Sequence, residues 1–400
     1  MAPNASDAPR TPLTEADADE ARSRRRRTAA RYVVPVTVVG MAAATIGLVP
    51  ALADSGDPDL PGITAQQLLD KVAASDVQQL SGTVKITTDL GLPDLGGLES
   101  SFLSGATQSS DTSSADPTTK LTELAAGTHT LRVATDGPEK QKLSLLENAA
   151  EYSLIHNGKD VWGYDSKSNE VYHSTLPEEA RKDSQAPATP KDLTEETLKA
   201  IDPTTSVTVD GTVHVAGRDA YKLLVTPKQS GSTVGAISIA VDAKTGLPLK
   251  FTLTPRSGGA AVIDAGFTQV SFAKPAASTF DFTAPKGAKV TEGQNAPGKD
   301  ELGKGALGED LTGLNVLGKG WTTIATYDTG KEQGVPSSSD LPDVGALGGF
   351  LGSFGDKVSG DFGKGTVFST RLVNALITDN GKVYIGAVTK DALVKAAEGN

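Results

Sequence analysis

The chain of 400 residues contains no cysteine, only four histidines and few aromatic residues, which make up 5% of the sequence. Without cysteine there is no disulfide framework, no thiolate chemistry and no cysteine to carry a lipid anchor. The histidines never occur at the short spacings that metal ligands use, so we interpret them as solvent-facing or hydrogen-bonded strand residues. They are His129, His156, His173 and His214. The sequence therefore predicts no metal and no cofactor.

Recognised catalytic motifs are also missing. There is no Gly-x-Ser-x-Gly elbow, no Walker loop and no His-Glu-x-x-His. Carboxylates such as Asp165, Asp242 and Asp192 fall in predicted turns or at helix starts, where they cap backbone amides. No catalytic residue can be named, and we expect a protein that is not an enzyme. A hydrolase whose two carboxylates lie far apart in the chain remains an alternative.

The chain lacks an excess of positive charge, since its formal net charge is −11. Residues 1–53 carry 7 basic and 5 acidic residues, so the remainder has a net charge of −13. Binding to phosphate backbones needs clustered Lys and Arg, so we expect no nucleic-acid partner.

The N-terminus predicts export. Residues 1–31 are polar and end in a cluster of arginines, and residues 32–53 carry no charge. This length suits a membrane-crossing helix, and the arginines would keep residues 1–31 in the cytoplasm. The run ends in an Ala-x-Ala pattern that predicts cleavage between Ala53 and Asp54. Whether cleaved as a signal peptide or retained as a membrane anchor, the segment places the rest of the chain outside the cytoplasm.

Beyond residue 62 the sequence is typical of a mainly β (α+β) protein. Strand-like alternation recurs at roughly 8 to 12 residue spacing, and turn residues such as Asn157-Gly158 separate the runs. Only two short helices are predicted here, over 63–74 and 194–201. We therefore predict an open half-barrel of about ten or eleven antiparallel strands with short lid helices over residues 62–290. Residues 91–127 are interpreted as a flexible insertion between the first two strands.

The end of the chain forms a separate region in this interpretation. Residues 291–310 are rich in Gly, Pro and Lys and predict a linker. Residues 311–400 predict a small α+β extension with a strand at Trp321–Tyr327, a hairpin centred on Asn380-Gly381 and a final helix. A short strand is also expected at Phe280–Phe282.

Two short helices cannot cover a sheet of about ten strands, so we expect an uncovered apolar surface that receives a ligand. The candidate residues are apolar members of alternating strands, and for each the other interpretation is simple core packing. They are Leu131, Val133, Leu143, Leu145, Tyr152, Leu154, Trp162, Tyr164, Ile237, Ile239, Phe251, Leu253 and Phe267.

Three motifs carry a family resemblance. They are Val241-Asp242-Ala243-Lys244-Thr245-Gly246-Leu247-Pro248, Gly266-Phe267-Thr268-Gln269-Val270, and the run from Phe280 to Ala288. Together with the order of elements over about residues 63–290, they resemble the lipoprotein-localisation carrier superfamily. That superfamily includes the LolA-like carriers and the RseB/MucB-type regulators. The insertion and the extension after residue 290 depart from the basic carrier, and the extension is closer in layout to regulators with a second domain.

The resemblance implies an open half-barrel whose apolar face receives acyl chains, without placing any binding residue. The first hypothesis is therefore a cell-envelope carrier or chaperone of lipidated molecules, with the acyl chain of a lipoprotein as partner. The alternative is an RseB-like envelope-stress sensor that binds a membrane regulatory protein through residues 291–400.

Overall fold

The computed structural model of the protein describes residues 56–91, 113–117, 120, 123–176, 189–199, 201–293, 315–328 and 355–399. The basic segment, the uncharged run and the predicted cleavage site at Ala53 and Asp54 lie outside these ranges. Within them, no helix is both long enough and apolar enough to cross a bilayer. The described residues from Asp57 onward belong to one compact unit.

Most strands of the chain belong to one large sheet. Their bounds are β1 Gln79–Thr88, β2 Gly127–Asp136, β3 Lys140–Glu147, β4 Ala150–Asn157, β5 Asp160–Asp165, β6 Glu170–Thr175, β7 Thr205–Val215, β8 Arg218–Pro227, β9 Val234–Asp242, β10 Pro248–Pro255, β11 Ile263–Ser271 and β12 Lys289–Glu292. The spatial order of the twelve is β12-β6-β5-β4-β3-β2-β1-β11-β10-β9-β8-β7, and the sheet is not closed.

Strands β1 to β11 pair antiparallel throughout, which confirms the predicted half-barrel sheet. β12 was not predicted and pairs parallel to β6. The strand predicted at Phe280–Phe282 is wrong: a 3-10 turn at Ala277–Thr279 precedes these residues. Phe280 is fully buried, and the Phe282 ring lies against the rings of Trp162 and Tyr164. The alternating phenylalanines pack onto the sheet rather than extend it.

Two helices accompany this sheet. Helix α1 spans Ala65–Ala73 and begins with a capping box, in which the Gln67 amide donates to Thr64 Oγ1 and the Thr64 amide donates to Gln67 Oε1 at 2.9 Å. Its Leu68 is fully buried. Helix α2 spans Pro190–Lys199 and starts earlier than predicted, with proline in its first turn, where no amide hydrogen is needed.

A second sheet follows. It holds β13 Asn315–Leu317, β14 Ile324–Asp328, β15 Asp356–Gly360, β16 Gly363–Ser369, β17 Asn374–Thr378 and β18 Lys382–Gly386. The spatial order is β13-β14-β18-β17-β16-β15, and helix α3, Lys390–Glu398, packs Leu393 and Ala397 on one face. The predicted hairpin at Asn380-Gly381 is β17–β18, and Gly381 supplies the positive φ of its turn. Trp321 lies in a 3-10 turn before β14, so the observed strand begins at Ile324, three residues later than we predicted.

The two sheets are joined by hydrogen bonds within the described part of the chain. The Thr233 amide donates to the Ala387 carbonyl at 3.0 Å, and the indole of Trp321 donates to Thr205 Oγ1 at 2.8 Å. Arg371 pairs with Asp89 and donates to the Ala260 carbonyl. Residues that we predicted as a separate extension therefore contact strand β7 and the loops beside β1, β9 and β11 of the large sheet.

Candidate functional site

Cross-strand pairing brings eleven of the thirteen candidate residues onto one face, which we call the inner face. Leu131 lies opposite Leu145, which lies opposite Tyr152, and Val133 lies opposite Leu143, which lies opposite Leu154. On the other side of β1, Phe251 lies opposite Ile239 and Leu253 opposite Ile237. Phe267 lies opposite Val84, which itself lies opposite Leu131. Because side chains alternate along a strand, these registers place all eleven on the same side.

Trp162 and Tyr164 do not join them. Leu154 of the inner face lies opposite Gly163, so the residues on either side of Gly163 point to the other face. There Trp162 stacks on His173 with ring centroids 3.8 Å apart, and Phe282 contacts both aromatic rings. These two candidates therefore belong to an aromatic cluster on the outer face.

Three segments cover the inner face. Helix α1 places Leu68 in a buried cluster with Leu223, Ile239 and Phe251. Leu193 of helix α2 packs against both buried clusters of the large sheet. Part of the predicted insertion covers the remaining strands, β3 to β6.

The insertion contacts the inner face at several points. The Tyr152 hydroxyl donates to the Ala115 carbonyl at 3.2 Å, and Ala115 is fully buried. Ser114 donates to Glu170 through its amide and its hydroxyl, and Glu170 is also bonded to Ser113 and Lys289. These donors, the Ser114 hydroxyl foremost, lower the pKa of Glu170 to about 2. In its ionised form, the Glu170 carboxylate thus holds the insertion in place.

Lys120 forms a second attachment. Its ammonium lies 3.0 Å from Glu147 Oε1, 3.2 Å from Glu123 Oε1 and 3.9 Å from Asp165 Oδ2. Burial lowers the pKa of Lys120, but the surrounding carboxylates outweigh that effect and the pKa is raised. The insertion is therefore held by charges as well as by Leu124, which joins the buried cluster around Leu131.

A cavity of about 250 Å³ lies beside the start of helix α2. It lies at the end of the inner face where β1, β2 and β11 meet the start of helix α2 and the turn between β9 and β10. Its lining residues are Val77, Gln78, Leu80, Val133, Ala134, Thr135, Gly137, Pro138, Gln141, Thr189, Lys191, Leu247 and Phe267. We take this cavity as the candidate binding site because it combines an apolar wall with a few polar groups.

Only two of the predicted residues, Val133 and Phe267, line this cavity. The buried clusters contain Leu131, Leu143, Leu145, Tyr152 and the four candidate residues of β9 and β10. Sequence reasoning missed Val77, Leu80 and Leu247. Leu80 could have been found as the first inward position of the β1 alternation, whereas Leu247 sits in a turn, where no periodicity marks it.

The polar part of the cavity has one charged member, Lys191. Gln141 Nε2 donates to the Pro138 carbonyl at 3.0 Å, and Thr135 Oγ1 donates to the Gly137 carbonyl at 3.0 Å. Asp136, next to this turn, pairs instead with Lys274 at 3.1 Å. The hydrogen bond from Lys274 is the main reason that the pKa of Asp136 is lowered.

All four histidines lie in strands, as predicted, and each has a polar partner. His129 and His156 contact backbone carbonyls at 2.7 Å. His214 lies 3.0 Å from Asp219, and His173 contacts both Asp160 and Glu292. Among the residues that the structure describes, no group of three or more His, Asp or Glu side chains is arranged to hold a metal ion.

No family model matches the chain, and no curated protein matches it either. Among solved structures, the Pseudomonas aeruginosa MucA/MucB complex is similar at 15% identity and a TM-score of 0.38, covering 83% of this chain and 96% of that chain. An uncharacterised conserved protein from Thermus thermophilus is similar at 14% identity and a TM-score of 0.31, covering 57% and 98%. A LolA superfamily protein from Nitrosomonas europaea is similar at 12% identity and a TM-score of 0.21, covering 55% and 99%.

These values are too low for the neighbours to carry an argument about the site. The fold rests on the chain's own geometry, which is an open antiparallel sheet of β1 to β11 with α1 and α2 on its inner face. The motifs that carry the resemblance, at Val241–Pro248 and Gly266–Val270, lie at β9–β10 and in β11. The chain therefore has the open antiparallel half-barrel fold that its sequence predicts.

Proposed function

We propose that this chain is an extracytoplasmic protein that binds a lipophilic ligand and acts in the cell envelope as a carrier or chaperone of acylated molecules. The observation that carries the proposal is the cavity beside β1, where Leu80, Val133 and Phe267 form an apolar wall. Phe267 and Val133 are each 6% exposed and Leu80 is half-buried, so most of this wall is shielded from solvent. An apolar recess of this kind takes up hydrocarbon and excludes water.

The N-terminal segment supports the location. A protein that holds acyl chains for the envelope must act beside the membrane, and residues 32–53 would either anchor it there or direct its export. The acidic character of the remaining chain is compatible with that role and opposes binding to anionic polymers.

The test is native mass spectrometry of the protein purified from its original host, followed by lipid extraction and by uptake of added single-chain lipids. We expect bound acyl species in the wild type. Leu80→Trp fills the cavity from a half-buried position and should abolish uptake. Lys85→Trp places the same side chain on an exposed position of the same strand and should leave lipid uptake intact. A wild-type protein that carries no lipid and takes none up would remove the carrier proposal.

A second function, the sensor of a membrane regulatory protein, is favoured by one surface of the second sheet. Val316 is 62% exposed and Ile385 43% exposed. Ala325 lies opposite both, so the three side chains form one row across β13, β14 and β18. Exposed apolar rows of this kind mark protein interaction surfaces. Ile385→Glu should release a co-purified partner, whereas Lys395→Glu on α3 should retain it.

A further inference from the structure

We propose that the ligand is a single-chain amphiphile with an acidic head, held with its chain in the cavity and its head at Lys191. The inference rests on the proposed function and narrows it to a class of ligand. It starts from the charge of the lining: lysine is the one ionisable residue among those that line the cavity. The protein as a whole has a net charge of −11, so the cavity reverses the prevailing sign.

The Lys191 ammonium is held only weakly within the described part of the protein. Its one ion pair among the described residues is with Glu195 Oε1 at 3.7 Å, one helical turn away. Both side chains are about one-third exposed, at 36% and 31%. Exposed pairs of this type are weak, so an acidic head in the cavity mouth competes with Glu195 on favourable terms.

The start of helix α2 does not supply this charge. The Thr189 amide and hydroxyl both donate to Asp192 Oδ2, at 3.1 and 2.7 Å, and the Asp192 amide donates to Thr189 Oγ1 at 3.3 Å. This capping box already satisfies the first turn and places a carboxylate there. Recognition of an anion therefore falls to the lysine side chain, with the amides of Gln78 and Gln141 as neutral neighbours in the lining.

The volume sets the size of the chain. At roughly 30 Å³ per heavy atom, the share of one water molecule in the liquid, a cavity of this size holds about eight heavy atoms. Two-chain lipids exceed that capacity several-fold. A chain of about ten carbons therefore fills the apolar part and leaves its last carbons and its head at the polar end, where Thr189 and Lys191 lie.

The test is calorimetric titration of the full-length protein with three ten-carbon compounds: decanoate, 1-decanol and decylamine. We expect decanoate to bind about two- to fivefold more tightly than decanol, and decylamine more weakly than both. Lys191→Gln should remove the preference for decanoate over decanol. Lys199→Gln, at the other end of the same helix, should leave all three affinities unchanged.

A fourth compound, decyl phosphate, distinguishes the two natural sources of an acidic head. Tighter binding than decanoate assigns a phosphate-headed lipid, and weaker binding assigns a free fatty acid. Equal binding of decanol and decanoate, or a preference that survives in Lys191→Gln, overturns the inference while acyl binding stands. Failure of all four compounds to bind instead removes the proposed function.

Discussion

Replacing Asp242 tests whether one buried carboxylate holds the turn that forms a wall of the cavity. Asp242 is fully buried at the end of β9. Its carboxylate accepts hydrogen bonds from Arg218 Nε and Nη2, from the amides of Lys244 and Thr245, and from Thr245 Oγ1. The Asp242 amide in turn donates to the carbonyl of Leu247, which lines the cavity.

The magnitude follows from what the substitution leaves behind. Removing one partner of a buried ion pair costs about 3–5 kcal/mol, because the other charge stays uncompensated. Arg218 is 25% exposed and also lies over the Phe272 ring, so water and the ring reduce this cost. We expect Asp242→Ala to lower the free energy of unfolding by about 3 kcal/mol. Asp242→Asn keeps one acceptor for the turn amides and should lower it by about 2 kcal/mol.

The assay is urea denaturation, with the midpoint and slope measured for each variant. Asp264→Asn is the matched control, because its pair with Lys250 is 39–42% exposed and should contribute less than about 1 kcal/mol. A loss below about 1 kcal/mol for Asp242→Ala would refute the reasoning. If a folded Asp242→Asn protein binds decanoate with wild-type affinity, the turn held by Asp242 does not shape the cavity.

The same residue predicts the acid side of the stability curve. Burial raises the pKa of Asp242, but the hydrogen bond from Arg218 and those from Thr245 outweigh it, and the pKa is lowered. A lowered pKa stabilises the protein above the ordinary value near 3.8, and that stability is lost as the pH falls through the folded-state pKa. Asp242→Asn should therefore flatten the acid limb of a plot of unfolding free energy against pH.

Three further predictions concern the covers and the joints of the sheet. Gly163→Ala would bring a methyl group against the Ala115 carbonyl, so we expect the free energy of unfolding to fall by about 1–3 kcal/mol and amide exchange at residues 113–117 to become faster. The control is Gly62→Ala, whose added methyl group meets no atom. Unchanged exchange in Gly163→Ala would contradict the packing of the insertion. Burial lowers the pKa of His173, but the carboxylates of Asp160 and Glu292 outweigh the effect of burial, and the pKa is raised. The stability that protonated His173 contributes is therefore present below about pH 6.5 and is lost as the pH rises through the raised pKa. Glu292→Gln should remove under about 1 kcal/mol of it, as Glu292 is 71% exposed, and a difference that persists at pH 9 would contradict the charge assignment. Trp321→Phe removes the hydrogen bond to Thr205 and should lower the free energy of unfolding in urea by about 1 kcal/mol. If Trp321→Phe has the same effect in a protein that already carries Thr205→Val, this hydrogen bond contributes nothing.

The strands were predictable because their signals are local. Alternation over four to ten residues and turn pairs such as Asn157-Gly158 fix where a strand begins and ends, and Gly158 has the expected positive φ of 64°. The start of helix α1 was predictable for the same reason, since Thr64 and Gln67 form the capping box that their spacing indicates.

The face of β5 was not predictable. Trp162 and Tyr164 share one side by periodicity, but which side depends on the register with β4, where Gly163 meets Leu154. Large aromatics suggested the inner face. The structure gives the inner position to glycine, because the Ala115 carbonyl approaches where a side chain would lie.

The insertion explains why the cavity is smaller than the sheet alone would suggest. The inner face of β3 and β4 carries Leu143, Leu145 and Tyr152, all at most 2% exposed. Part of their cover comes from the chain itself, through Ala115 and Leu124 and the attachments at Lys120 and Glu170. A ligand for these strands would have to displace that segment, together with two sets of charged contacts. The space beside β1 and α2 needs no such displacement, and so it can receive a chain without unfolding a neighbour.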